Sequence, residues 1–172
     1  MVQERSGIAT FKGNPITLIG PSLKVGDKAP NFKVNKDLLT EVTLADYAGK
    51  VKLIAAVPSL DTGVCSAETR RFNEEAAKLG DNVVILTISI DTPFAQSRWC
   101  GAEGIDKIVT LSDFKKRSFA QAFGVDIKEL GLLMRSIFVL DANDTIQYVE
   151  YVKEMTDHPD YERALDAVRS AK

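Results

Sequence analysis

Two apolar runs restrict the fold of this chain more than any other feature: Val51 to Val57 (VKLIAAV) and Val83 to Ile90 (VVILTISI). Both read as buried strands, the first ended by Pro58 and the second rich in β-branched residues. Between them Ser66 to Leu79 holds good helix formers and stops before Gly80, a residue suited to the position after a helix end. A strand, a helix and a strand of these lengths make a right-handed parallel crossover. The pattern then repeats more loosely. Thr92-Pro93 opens a helix towards Trp99, Ile105 to Leu111 reads as a strand, and Lys116 to Phe123 as a helix before Gly124. Ser136 to Leu140 and Ile146 to Val152 read as strands around the turn Asp141-Ala142-Asn143-Asp144, and Pro159 to Ala171 as a closing helix capped by Asp157. Upstream, Ile8 to Phe11 and Ile16 to Ile19 flank Gly13-Asn14-Pro15, which predicts a β-hairpin over about 7–19. A short strand follows around Phe32 to Val34. No repeat or linker splits the chain, so residues 1–172 are expected to form one α/β domain with a mixed central sheet flanked by helices.

Charge narrows the partners. The 22 basic and 24 acidic residues leave a formal net charge of −2, without the basic surplus that nucleic acid or an anionic membrane selects. The longest uncharged run, Gly13 to Leu23, has 11 residues and two prolines, so no membrane span is expected. The opening MVQERSG lacks the pattern of a secretory signal, and a cytoplasmic protein is expected. One histidine, His158, excludes His-rich metal sites, and no P-loop or dinucleotide fingerprint implies a bound cofactor.

The chemistry gathers at Pro58-Ser59-Leu60-Asp61-Thr62-Gly63-Val64-Cys65, which leaves the C-terminal end of a buried strand and enters a helix. Open α/β sheets place ligands at that edge. A helix N-terminus presents unpaired N–H groups and a positive dipole end, which suit a reactive thiolate. Arg70 and Arg71 add positive potential, which Glu68 opposes. On position alone, Cys65 is equally a small apolar residue filling the strand–helix junction. Cys100, 35 residues on, is either inert or the second half of a redox pair.

Pro58, Thr62 and Cys65 form the pattern Pro-x-x-x-Thr-x-x-Cys, which resembles the active-site signature of the peroxiredoxins. The longer string SLDT-x-VC, followed by Thr69 and Phe72-Asn73, is similar to their bacterial thiol peroxidase subfamily, an atypical two-cysteine group. The resemblance covers nearly the whole chain, including the hairpin, VGDKAPNF, Cys100 and Arg135. Gly63 stands where the subfamily has proline, and Ser66 where an acidic residue is usual. The resemblance implies a thioredoxin-like fold and reduction of hydrogen peroxide or organic hydroperoxides. Cys65 would be peroxidatic, Thr62 would hydrogen-bond peroxide and sulfur, and Pro58 would shield the site. Arg135, otherwise a strand-end charge, would hold the thiolate and contact the substrate oxygens. Cys100 would resolve the sulfenic acid in a Cys65–Cys100 disulfide, with thioredoxin as reductant and a homodimer as the assembly.

Two other classes compete. Cys65 with His158 would make a Cys-His hydrolase, although Asp157-His158-Pro159-Asp160 reads as a surface turn. A Cys65–Cys100 disulfide without turnover would make a redox sensor. A thioredoxin-like reductase is disfavoured because no Cys-x-x-Cys is present.

Overall fold

The computed structural model describes residues 2–171. Its chain opens with β1 (Glu4–Phe11) and β2 (Asn14–Ile19), an antiparallel pair. The turn is tighter than expected. Phe11 pairs with Asn14, so Lys12 and Gly13 alone reverse the chain, at φ 51° and 79°. Positive φ at both central residues is the geometry that matches the strand twist, and it moves Asn14 and Pro15 into β2.

Next come β3 (Val34–Asn35), β4 (Glu41–Val42), a 3-10 turn at Leu44–Tyr47 and β5 (Val51–Ala56). The crossover follows as α1 (Gly63–Ala76), β6 (Val83–Ser89), α2 (Pro93–Glu103) and β7 (Val109–Ser112). The chain ends with α3 (Ser118–Ala122), β8 (Asp126–Ile127), β9 (Ser136–Leu140), β10 (Ile146–Tyr151) and α4 (Tyr161–Ser170). The seven-stranded mixed sheet has the order β10-β9-β5-β6-β7-β3-β4, with β5, β6 and β7 parallel. A second sheet, β1-β2-β8, carries the hairpin.

Several bounds differ from the sequence reading, each for a local reason. Helix α1 starts three residues before Ser66 because the Thr62 hydroxyl accepts from Cys65 N at 3.3 Å, which makes Thr62 the cap. Helix α4 is capped by Asp160, which accepts from Arg163 N at 3.1 Å, and not by Asp157. Helix α2 runs past Trp99 to Glu103 and ends at Gly104, at φ 66°. The strand expected over Ile105 to Leu111 is β7 alone, and that around Phe32 to Val34 is β3.

Alternation along the central strands explains the continuous apolar runs. Ile54, Ala56, Leu86, Ile88 and Phe138 face one layer with Phe119, Phe123 and the hairpin's Leu18. Leu53, Ala55, Ile85, Ile137 and Val139 face the other with Phe72, Leu165 and Val168. Both faces are covered, and each fully buried large side chain contributes roughly 1.5–3 kcal/mol.

Register then places the chemistry. Antiparallel β9 pairs with β5 so that Ser136 lies opposite Ala56. The residue before Ser136 is therefore level with Val57 and Pro58, where β5 hands over to α1.

Candidate active site

Cys65 occupies the first turn of α1 and is wholly buried, as a free thiol. The residue that register brings to it is Arg135, 2% exposed. Arg135 Nη2 donates to Cys65 Sγ at 3.2 Å. Its Nη1 donates to Glu68 Oε2 at 2.7 Å, and its Nε to the Met155 carbonyl at 3.1 Å. Three anchors thus fix the guanidinium plane, the geometry that Arg supplies and Lys does not.

Glu68, one turn after Cys65, is also wholly buried, and its second oxygen, Oε1, has no partner. Burial pushes its carboxyl up to about 7 against the pull of Arg135. For Arg135, burial works to lower the pKa, but the charges of Glu68 and Cys65 outweigh it and the value is raised. Glu68 therefore faces the guanidinium that touches the Cys65 sulfur. Arg70 and Arg71 are engaged elsewhere, by Glu103 at 2.5 Å and Glu162 at 2.7 Å. The signal for Glu68 was present in the sequence. Cys65, Glu68, Thr69 and Phe72 share one helical face, and a carboxylate on a buried face requires a cation.

The Thr62 hydroxyl accepts from Cys65 N and donates to the Ser59 carbonyl at 3.2 Å. Pro58 is buried beside it. Pro58, Thr62 and Arg135 line an open cleft of about 370 Å³ whose walls are almost wholly apolar, completed by the hairpin tip, Phe11 and Lys12, and by Met155. The tip is held there by Met155 N donating to the Thr10 carbonyl at 2.8 Å. Glu154 adds to this by accepting from Gly13 N at 2.8 Å.

Cys100 lies apart from that cleft. It is free and half-buried on α2, and its Sγ sits 3.7 Å from Thr110 Oγ1 of β7. Burial raises its thiol pKa, with the Thr110 contact pulling the other way. Its neighbour Trp99 packs with Val57, Leu60 and Cys65, so α2 touches the Cys65 side through the indole. His158 is exposed, with Nδ1 2.7 Å from Tyr161 Oη. It is Arg135 that bonds the Cys65 sulfur, which leaves the hydrolase reading without a contact. Among the described residues no group of three or more His, Cys, Asp or Glu side chains could hold a metal ion, and no helix is long and apolar enough to cross a membrane.

Residues 24–165 match the redoxin family. The chain is 61% identical to the thiol peroxidase of Bacillus subtilis (strain 168) over 161 residues, 94% of this chain and 96% of that protein. It is 59% identical to the thiol peroxidase of Listeria innocua over 162 residues, covering 94% and 98%. The crystal structure of a peroxiredoxin-like protein from Aquifex aeolicus superposes with a TM-score of 0.89 at 37% identity, covering 99% of each chain. In fold alone, the thiol peroxidase from Chromobacterium violaceum is also similar, with a TM-score of 0.83 over 94% and 95% at 21% identity. The fold is therefore the thioredoxin-like one expected.

Proposed function

The chain belongs to the redoxin family, among its thiol peroxidases, and on that premise we propose that Cys65 is the peroxidatic residue and Cys100 its resolving partner. The observation that carries this reading is the 3.2 Å contact between Arg135 Nη2 and a Cys65 sulfur in the first turn of α1. A guanidinium and a helix N-terminus are what a protein uses to present a thiolate.

The Cys65 thiolate attacks one peroxide oxygen. An S–O bond forms, the O–O bond breaks, and its electron pair leaves on the departing oxygen, which takes a proton to become alcohol or water. Charge builds on that oxygen in the transition state, where Arg135 donates to it, and the Thr62 hydroxyl donates as well once it swings from the Ser59 carbonyl. Pro58 keeps water from the sulfur. The Cys100 thiol then attacks the sulfenic sulfur, forming the Cys65–Cys100 bond and releasing water, and thioredoxin restores both thiols by exchange. The apolar walls of the cleft favour organic hydroperoxides over hydrogen peroxide. We place this activity in the cytoplasm, in one domain spanning the chain and in a homodimer.

The test is intact mass and thiol count on reduced protein after one equivalent of an organic hydroperoxide. Loss of both thiols in a chain that stays monomeric on a non-reducing denaturing gel is expected. Two unreacted thiols would overturn the reading.

A further inference from the structure

Asp91 has no part in that chemistry, yet it stands between both cysteine-bearing segments. It follows the end of β6 and precedes Thr92, the cap of α2. Its Oδ1 accepts from Ser59 Oγ at 2.8 Å, and its Oδ2 from Leu60 N and Ser89 Oγ, each at 2.8 Å. Its own carbonyl accepts from Ser112 Oγ at 2.5 Å. Ser59 in turn accepts from Thr62, through its carbonyl, and Thr62 accepts from Cys65 N. Leu60 packs with Trp99 and Cys65.

We propose that Asp91 is a clasp between the Cys65 loop and the start of the Cys100 helix, a positioning residue that sets how fast oxidised Cys65 is handed to Cys100. This rests on the Cys65–Cys100 reading above. Cys65 Sγ faces Arg135 and Cys100 Sγ faces Thr110, so a bond between them requires both to leave those partners. Ser89 and Ser112 hold Asp91 to β6 and β7, so the Cys65 loop unwinds only as Ser59 and Leu60 let go of that carboxylate. In the step concerned, Cys65–SOH and Cys100–SH become a disulfide and one water; no further oxidant or reductant enters. The clasp suits a carboxylate because three donors converge on it. An asparagine keeps an oxygen for Leu60 N and Ser89 Oγ but loses the charge and turns its N–H₂ group towards Ser59 Oγ, which already accepts from Asp61 N at 3.2 Å.

The experiment uses the full chain, reduced, as wild type, Asp91→Asn and Ser59→Ala. One equivalent of hydrogen peroxide is added, samples are alkylated over time, and intact mass reads the disulfide. In parallel, excess peroxide under turnover reads the fraction of Cys65 carried to sulfinic acid. The expected result for Asp91→Asn is disulfide formation at least threefold faster after the sulfenic acid appears, and a sulfinic fraction at least threefold lower. Ser59→Ala should shift both in the same direction by a smaller factor. Unchanged or slower disulfide formation in a folded variant overturns the clasp, and so does a slowed peroxide step alone. Should Asp91→Asn fail to fold, Ser59→Ala decides by the sign of the same two readouts. A wild type that never forms the intrachain bond overturns the Cys65–Cys100 reading and the clasp with it, before any variant is compared.

Discussion

At the residue scale the site turns on the three anchors of Arg135. Lysine keeps a charge but loses the fork that meets Glu68, Cys65 and the Met155 carbonyl together. Arg135→Lys should lower the second-order rate of peroxide reduction by about 10²–10³, the range seen when one preorganised donor is removed. Stopped-flow Trp99 fluorescence measures that rate, and a fall of less than threefold would refute the assignment. Glu68 gives a pH signature. Its folded value, pushed up from 4.5 to about 7, means that the folded chain keeps a proton the unfolded chain has already lost between those values. Stability from this group is fully present below the unfolded value and is lost as pH rises through the folded one. The melting temperature of wild type minus that of Glu68→Gln should therefore decline from about pH 4.5 to about pH 7. A flat difference across that interval would contradict the burial argument. Asp113, pushed up to about 6 by burial, acts in the same direction in both proteins and cancels.

At the scale of elements, the start of α1 joins stability to activity through Thr62. Thr62→Val removes the hydroxyl that caps the helix and should cost about 0.5–2 kcal/mol together with most peroxidase activity. Thr62→Ser restores both, as denaturant melts and steady-state rates would show. This element also shows what was legible in the chain. The strand-loop-helix order around Cys65 could be read because Val51 to Val57 and Val83 to Ile90 are buried on both faces and carry no competing signal. The helix start could not, since the cap rests on the Thr62 hydroxyl meeting Cys65 N, a contact fixed only once the loop is folded. Short strands such as β4 and β8 have two residues each, too few for any periodicity, and exist through pairing with distant partners. Arg135 was legible only by resemblance. Its contact with Cys65 depends on the register of β9 against β5, a long-range property. Glu68 was visible on the helix face, but its pairing was not, because its partner lies 67 residues away. Asp160 displaced Asp157 as a cap because Pro159 is buried and the helix begins beyond it.

For the whole molecule, the reduced arrangement is the one in which both sulfurs keep their partners. On the proposed mechanism, a chain oxidised to the Cys65–Cys100 bond would give up the Arg135 and Thr110 contacts. It should melt at a lower temperature than the reduced chain. Hydrogen exchange should accelerate over residues 58–66 and 91–104 while β5, β6 and β9 stay protected, and uniform protection in both forms would refute this. The hairpin tip stands outside that exchange of partners. The redoxin match begins at residue 24, yet Phe11 and Lys12 form part of the cleft wall. One wall of the cleft is thus supplied from outside the matched span, by a hairpin whose other end, Ala9, Ile16 and Leu18, is packed into the core. A designer could recut that wall to admit a different hydroperoxide tail and leave the sulfur, the guanidinium and their strand register as they are.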